Sequence, residues 1–145
     1  RRKLLTNSTA SCTIVYMDII ADTNIFLAIA LEEPEKEYII EITSESDAHS
    51  PEILPYEIGN ALTAMIKRGQ ISKKEALSAF EITRNIPVRL IPADIHKALN
   101  IAMRFNIYAY DAYFIQIAQF MACPLLTLDK RMKEVAGKLN ISLLE

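Results

Sequence analysis

The sequence predicts an α/β fold: a three-layer α/β/α sandwich around a central, mainly parallel sheet of four or five strands. Short apolar runs rich in β-branched residues alternate with longer segments whose apolar residues recur at helical spacing. Strands separated by helical segments favour parallel pairing, with helices on the faces of the sheet. The 145 residues, of which 51% are hydrophobic, suffice for one domain with a single core.

The first half of the chain carries clear signals for where its helices begin and end. Pro34 blocks continuation of the first helix, Pro51 is suited to open the third, and Gly69 is suited to end it. Ser72 and Glu75 have the spacing of a capping box, which predicts the start of the fourth helix. The predicted elements are a strand at 18–22, helices at 24–31 and 34–44, a strand at 48–50, and helices at 51–68 and 72–84.

The second half continues the alternation of strands and helices. Its clearest strand is the apolar run that ends in Leu128, which Asp129 and a helix rich in Lys and Arg follow at once. The predicted elements are strands at 87–91 and 124–128, helices at 94–106 and 110–121, a helix that begins at Asp129, and a closing strand at 141–144.

Residues 1–16 differ from the rest of the chain and are predicted to be a leader or an upstream extension. They are basic at the start and then polar, without the apolar core of a signal peptide. Met17 is a plausible natural start, so we assign 17–145 to the folded domain. Without the first three residues, all basic, the net charge changes from −2 to −5, and such a charge does not attract nucleic acid in bulk.

Composition argues against several classes of protein. Pro and Gly are too sparse for a disordered chain. No window approaches the ~20 consecutive apolar residues of a membrane span, so we expect a cytoplasmic protein without membrane contact. Cys12 and Cys123 form neither a disulfide framework nor a CxxC pair. His49 and His96 stand apart from each other and from both cysteines, which argues against a zinc site.

Four acidic residues are candidates for a functional site: Asp22, Glu57, Asp111 and Asp129. The three aspartates stand at predicted helix starts, where a carboxylate caps free backbone N–H groups, and for each one alone capping is an adequate explanation. Glu57 lies on the inward face of its predicted helix, where a charge needs an ion pair or a cation. A salt bridge to a basic residue of a neighbouring helix is therefore the alternative for Glu57.

The positions of these acids along the predicted elements favour a shared site. Asp22 and Asp129 both follow buried strands at their carboxyl ends, where ligands bind in parallel α/β sheets. If the two strands are adjacent, the two carboxylates face one crevice, and Asp111 and Glu57 reach it from helices. Carboxylates held together repel and raise one another's pKa values. A hard divalent cation, Mg²⁺ or Mn²⁺, relieves that repulsion, so we predict a metal site made of these four residues.

Four segments around these acids resemble the motifs of PIN-domain ribonucleases, in the same order and with agreeing spacing. Each motif alone has little specificity, whereas the ordered set is specific and covers 17–145. The chain is most similar in size to the VapC toxins of prokaryotic toxin–antitoxin pairs. The segments are DTNIFL at 22–27, PYEIGNAL at 55–62, YDAYFIQIA at 110–118 and LTLDKRM at 126–132.

The resemblance implies a Mg²⁺- or Mn²⁺-dependent endoribonuclease with Asp22, Glu57, Asp111 and Asp129 as its catalytic, metal-binding residues. The cation would activate a water for attack on phosphorus and stabilise the charge that develops on the phosphate oxygens. No side-chain nucleophile is required, and no Ser–His–Asp arrangement is evident in the sequence.

Further residues are given roles around this acidic site. Asn24 and Thr127 fall where the family often has a polar partner, so we assign them a supporting role beside the metal ligands. Lys130 and Arg131 adjoin Asp129 and are the predicted phosphate contacts. Three tyrosines are candidates for base stacking, although the last of them also suits the core: Tyr108, Tyr110 and Tyr113.

The resemblance also implies partners: an RNA substrate, a cognate antitoxin protein and a second copy in a homodimer. The early helices carry more apolar side chains than one face needs to bury, which favours an interaction surface there. The residues concerned are Phe26, Ile29, Leu31, Tyr38 and Ile39.

Three alternative functions stay open at this point. The chain could be a PIN-domain nuclease in RNA processing or a catalytically silent α/β binding module. A receiver-like signalling domain also has an acidic metal pocket on an α/β fold, but the order of the acidic residues fits it poorly.

Overall fold

A computed structural model describes residues 15–145 of the chain, so Cys12 and all but the last two residues of the predicted leader lie outside the described residues. Those last two, Val15 and Tyr16, have exposed side chains. The elements are β1 (Met17–Ala21), α1 (Thr23–Ala30), α2 (Lys36–Ile42), β2 (Ser46–Pro51), α3 (Leu54–Lys67), α4 (Lys73–Arg84), β3 (Arg89–Ile91), α5 (Ile95–Phe105), α6 (Ala109–Met121), β4 (Leu125–Leu126) and α7 (Lys130–Lys138).

The four strands form one sheet in the order β3-β2-β1-β4, and every pair is parallel. The chain builds β1, β2 and β3 in one direction and then crosses to place β4 on the other side of β1. In open α/β sheets, ligands bind outside the carboxyl ends of the strands at the point where the strand order reverses. Here that point lies between β1 and β4, directly before Asp22 and Thr127.

Two groups of helices accompany the sheet. Helix α1 packs against α2, α3 and α4, while α6 packs against α5 and α7 and against β1, β2 and β4. The apolar centre of β1, Ile19 and Ile20, is completely buried, as are Phe26 of α1 and Phe114 of α6. The predicted three-layer α/β fold with a parallel sheet is confirmed.

Several predicted boundaries were wrong at one end. Pro51 ends β2 instead of opening α3, and Pro55 fills the start of that helix. The closing strand at 141–144 is reduced to one isolated bridge between Leu143 and Leu125, since β4 itself has only two residues to pair with. The signals at Gly69 and Ser72 are confirmed: Gly69 follows α3 with a φ of 72°, and Ser72 Oγ accepts from the Glu75 N–H at 3.0 Å.

The predicted interaction surface on the early helices does not form as expected. Phe26 and Ile39 are almost completely buried, and Ile29 and Leu31 pack partly against the core, so of the five residues only Tyr38 is exposed. The apolar side chains of α1 are needed inside because this helix packs against three others, α2, α3 and α4. In residues 15–145 no helix combines the length and the apolar character needed to cross a membrane.

Candidate active site

Asp22 is held at the carboxyl end of β1 by three hydrogen bonds. It caps α1, and its Oδ1 accepts from the Thr23 N–H at 2.7 Å. Its Oδ2 accepts from the Thr127 hydroxyl, also at 2.7 Å, and its backbone N–H donates to the Leu126 carbonyl. The residue is only 5% exposed. Asp22 therefore caps α1 as predicted, but with only one carboxylate oxygen, while the other oxygen binds the Thr127 hydroxyl.

The loop after β4 brings Asp129 to the same edge of the sheet. Asp129 caps α7 by accepting from the Met132 N–H at 2.8 Å, and its own N–H donates to the Thr127 hydroxyl at 3.0 Å. The Asn24 side-chain carbonyl accepts from the Leu128 N–H at 3.3 Å. Thr127 therefore links Asp22 to Asp129 through one hydroxyl, and Asn24 attaches the loop to α1.

Glu57 approaches from the first turn of α3, because that helix begins at Leu54 and not at Pro51 as predicted. The helix dipole can therefore act on Glu57 as it does on the aspartates. Its Oε2 accepts from the Thr23 hydroxyl at 2.5 Å. The salt bridge that we considered for Glu57 is not formed within residues 15–145. Two adjacent residues thus act in the site: Asp22 contributes a carboxylate, and Thr23 contributes the hydroxyl that orients the carboxylate of Glu57.

Asp111 enters from the first turn of α6, where it does not cap the helix, since the N-cap position is taken by Tyr108. All four acids line one open pocket with a volume of about 350 Å³. The structure therefore brings together in one place the side chains that the sequence separates by more than a hundred positions. The full lining is Asp22, Thr23, Asn24, Leu27, Ile53, Tyr56, Glu57, Asn60, Ala61, Tyr110, Asp111 and Asp129.

Three carboxyl groups in this pocket, those of Asp22, Glu57 and Asp111, are harder to ionise than in water. Burial raises the pKa of Asp22 from 3.8 to about 7, although the hydrogen bonds from Thr127 and Thr23 act against that rise. Burial likewise raises the pKa values of Glu57 and Asp111. Neighbouring acids add to each effect: Asp111 and Glu57 act on Asp22, Asp111 acts on Glu57, and Asp129 acts on Asp111. The pocket therefore favours either protons or an added positive charge.

The chemistry of these donors fits a hard divalent cation. Carboxylate oxygens are the ligands that Mg²⁺ and Mn²⁺ prefer, and no Lys or Arg is among the described residues that line the pocket. In the part of the chain from 15 to 145, however, no three His, Cys, Asp or Glu side chains are arranged so that they could hold one ion together. The four carboxylates share a pocket without forming a complete ligand shell, so their metal-binding role stays a prediction.

The two predicted phosphate contacts lie outside the pocket lining. The Arg131 guanidinium donates to the Phe105 carbonyl and forms an ion pair with Glu134 at 2.9 Å, so it ties α7 to the end of α5. Lys130 is exposed at the start of α7. The Arg131 side chain therefore connects two helices and does not line the pocket, where the phosphate contact was expected.

The tyrosines and histidines divide between the pocket and the rest of the molecule. Tyr110 lines the pocket, Tyr108 is exposed outside it, and Tyr113 packs partly against the core. His49 is buried with its Nε2 at 2.9 Å from Asp18 Oδ1, and neither it nor the exposed His96 reaches the pocket.

Sequence reasoning missed Thr23, Tyr56 and Asn60 as residues of the site. Tyr56 precedes Glu57, and Asn60 follows Glu57 by three positions, a spacing that places two side chains on one helix face. That spacing could have identified Asn60. No comparable signal marks Thr23, because its contact with Glu57 joins residues that are 34 positions apart.

Comparisons with known proteins identify the family of this chain. A family model described as the PIN domain matches residues 19–138. The chain is similar to "Ribonuclease VapC3" of Pyrobaculum aerophilum, with 24% identity over 123 residues that cover 81% of this chain and 94% of that protein.

Two solved structures share the fold. The protein PAE2754 of Pyrobaculum aerophilum matches with a TM-score of 0.64 and 20% identity, covering 82% of this chain and 79% of the other. VapBC2 of Rickettsia felis, solved bound to a DNA fragment from its promoter, matches with a TM-score of 0.59 and 16% identity, covering 89% of this chain and 98% of the other. At these identities the structures are evidence for the fold alone.

Proposed function

The chain belongs to the PIN domain family, and from this we propose that it is an endoribonuclease that hydrolyses RNA phosphodiester bonds with the help of Mg²⁺ or Mn²⁺. We propose further that it is the toxin of a type II toxin–antitoxin pair and works in the cytoplasm. The observation that supports this most strongly is the single pocket lined by all four family acids, Asp22, Glu57, Asp111 and Asp129. The similarity to a protein named as a VapC ribonuclease supports the toxin assignment.

The four carboxylates would hold the cation, which when bound supplies an activated water and stabilises negative charge on the phosphate. The chain's own residues position these ligands. The Thr127 hydroxyl fixes one oxygen of Asp22, and the Thr23 hydroxyl fixes one oxygen of Glu57. Such supporting hydrogen bonds orient ligands and typically contribute 10–100-fold in metal affinity or activity.

The surroundings of Asp22 also determine when the site can bind a cation. Because its pKa is raised to about 7, the carboxyl retains its proton through the acidic range, and a cation must displace that proton. We therefore expect affinity for the metal to rise with pH up to about 7 and to level off above it. Burial, with a smaller contribution from the neighbouring acids, disfavours loss of the proton in the absence of positive charge.

An antitoxin protein and a second copy of the chain are the proposed protein partners. The structure of VapBC2 of Rickettsia felis contains a chain that shares the fold of this chain. Exposed apolar side chains recur every fourth residue along α5, at Ile95, Leu99 and Met103. Such a stripe on a surface helix is typical of a protein–protein contact.

The proposed activity is tested by incubating end-labelled RNA with the protein in Mn²⁺ or Mg²⁺, with a chelator as control. We expect internal cleavage that leaves a 5′-phosphate and a 3′-hydroxyl, and no cleavage in the chelator or with Asp22→Asn. Cleavage that survives chelation, or products with a 2′,3′-cyclic phosphate, would contradict a metal-dependent hydrolysis. Growth arrest on expression, relieved by a co-expressed antitoxin, separates a toxin from an RNA-processing nuclease.

A further inference from the structure

The lining of the acidic pocket also includes uncharged polar and aromatic side chains. Tyr56 and Asn60 of α3 line it together with Tyr110 of α6. Each tyrosine is the chain neighbour of an acid, since Tyr56 precedes Glu57 and Tyr110 precedes Asp111. An aromatic ring therefore accompanies the acids on two different helices.

These two rings are available to a ligand. Tyr56 is 75% exposed and Tyr110 is 54% exposed, although large aromatic side chains are buried on average. The Tyr110 ring meets Tyr113 edge-on, with ring centroids 6.1 Å apart at an angle of 78°. Tyr113 itself packs against the core, so Tyr110 has a support on one side while much of its ring stays open.

The pocket offers little that could attract phosphate groups directly. No Lys or Arg occurs in its lining among the described residues, and Arg131 is occupied by Phe105 and Glu134. Stacking on a neutral ring does not depend on charge, and it contributes substantially to the binding of single-stranded nucleic acid. The residues of this pocket are therefore better suited to binding the bases of RNA than to binding its phosphate backbone.

Asn60 adds a group that can hydrogen-bond to a base edge. It is exposed and lines the pocket together with Tyr56, and its main-chain carbonyl accepts from the Thr63 hydroxyl at 2.9 Å. That bond does not use the side-chain carboxamide. Asn side chains pair with the edges of unstacked bases in nucleic-acid complexes.

We propose that Tyr56 and Tyr110 form a nucleobase subsite that stacks bases flanking the phosphate to be cut, with Asn60 at the edge of one base. The inference rests on the proposed nuclease function and identifies the side chains that would contact the bases of its RNA substrate. In a duplex each base is already stacked between its neighbours, so its faces cannot reach the two rings.

The test measures binding of a fluorescent, single-stranded RNA of mixed sequence, roughly eight nucleotides long. A second RNA of equal length lacks all bases. Both are titrated in Mg²⁺ against Asp22→Asn protein, which prevents cleavage during the measurement. Tyr56→Leu and Tyr110→Leu are each introduced into this protein, and Tyr56→Phe and Tyr110→Phe keep the ring. Tyr108→Leu removes a still more exposed ring outside the pocket.

We expect each pocket leucine variant to raise the dissociation constant about tenfold for the RNA with bases and to leave binding of the abasic RNA unchanged. The phenylalanine variants and Tyr108→Leu should stay within about twofold of the parent, because they retain both stacking faces. Unchanged binding by the leucine variants would overturn the subsite. An equal loss with the abasic RNA would also overturn it, because the contact would then be with the backbone.

Cleavage assays separate a failure of this subsite from a failure of the proposed function. If the wild-type protein cleaves RNA and the leucine variants bind normally, the subsite is wrong and the nuclease assignment stands. If the leucine variants lose base-dependent binding while the wild-type protein shows no chelator-sensitive cleavage, the subsite stands and the nuclease assignment falls.

Discussion

Asp18 and Asp22 stand near the two ends of β1, and the fold gives them opposite surroundings. The Asp18 side chain is 56% exposed, and its Oδ1 lies 2.9 Å from His49 Nε2. Asp22 is 5% exposed, and three other acids line its pocket. A carboxylate that is exposed to solvent and lies beside an imidazole needs no further partner. A carboxylate buried among acids retains its proton or requires a cation, so only the carboxyl end of the strand is arranged for metal chemistry.

The largest expected effect contrasts the two ends directly. Asp22→Asn should lower the rate of Mn²⁺-dependent RNA cleavage by about a thousandfold or more, as removal of a catalytic group does in other enzymes. Asp18→Asn, the matched change at the other end, should leave the rate within about twofold. Single-turnover cleavage assays measure both. If both variants lost cleavage activity equally, the different surroundings of Asp18 and Asp22 would have no bearing on function.

The second prediction concerns stability in the absence of metal. The folded pKa of Asp22 is about 7, above the ordinary value of 3.8, so the folded state binds more protons than the unfolded chain between these values. The free energy of unfolding should therefore fall as pH rises from about 4 through 7 and then level off.

Asp22→Asn removes the contribution of Asp22 to this dependence, because the amide has no proton to lose. We expect the variant to be more stable than the wild-type protein by roughly 4 kcal/mol at about pH 8, and nearly equal to it at about pH 4. Urea unfolding in a chelator measures the difference, and Asp18→Asn serves as control. A wild-type stability that does not fall over this pH range would refute the raised pKa.

The third prediction concerns Thr127→Val, which changes the surroundings of Asp22 and should have a smaller effect. It removes the hydroxyl that donates to Asp22 and accepts from the Asp129 N–H. We expect affinity for Mn²⁺ to fall by about 10–100-fold, as measured by calorimetry. Thr127→Ser keeps the hydroxyl and should restore most of that affinity. A serine variant as poor as the valine variant would assign Thr127 a packing role only.

The smallest expected effect concerns Arg131. Because its guanidinium binds the Phe105 carbonyl and Glu134, Arg131→Ala should lower the free energy of unfolding by about 1 kcal/mol. Cleavage should change by less than about twofold. Lys130→Ala at the neighbouring exposed position is the matched control for stability. A large loss of RNA affinity with Arg131→Ala would restore the phosphate contact that the sequence predicts.

The order of strands and helices could be predicted because its signals are local. These signals, such as the apolar runs, Gly69 and the Ser72 cap, act within a few residues of their own positions and can therefore be recognised in the sequence. Boundaries such as the start of α3 were wrong because Pro51 suits both the end of a strand and the start of a helix. The choice was made by pairing with β3, which local sequence does not contain.

The sequence by itself determined the alternation of elements, the parallel sheet, the family motifs and the four acids near strand and helix ends. Only the tertiary structure decided that Thr23 orients Glu57, that Arg131 turns to the end of α5, and that two tyrosines border the pocket. These outcomes depend on side chains distant in sequence that meet through packing. A periodic pattern records which face of an element is buried, but it does not record which partner that face meets.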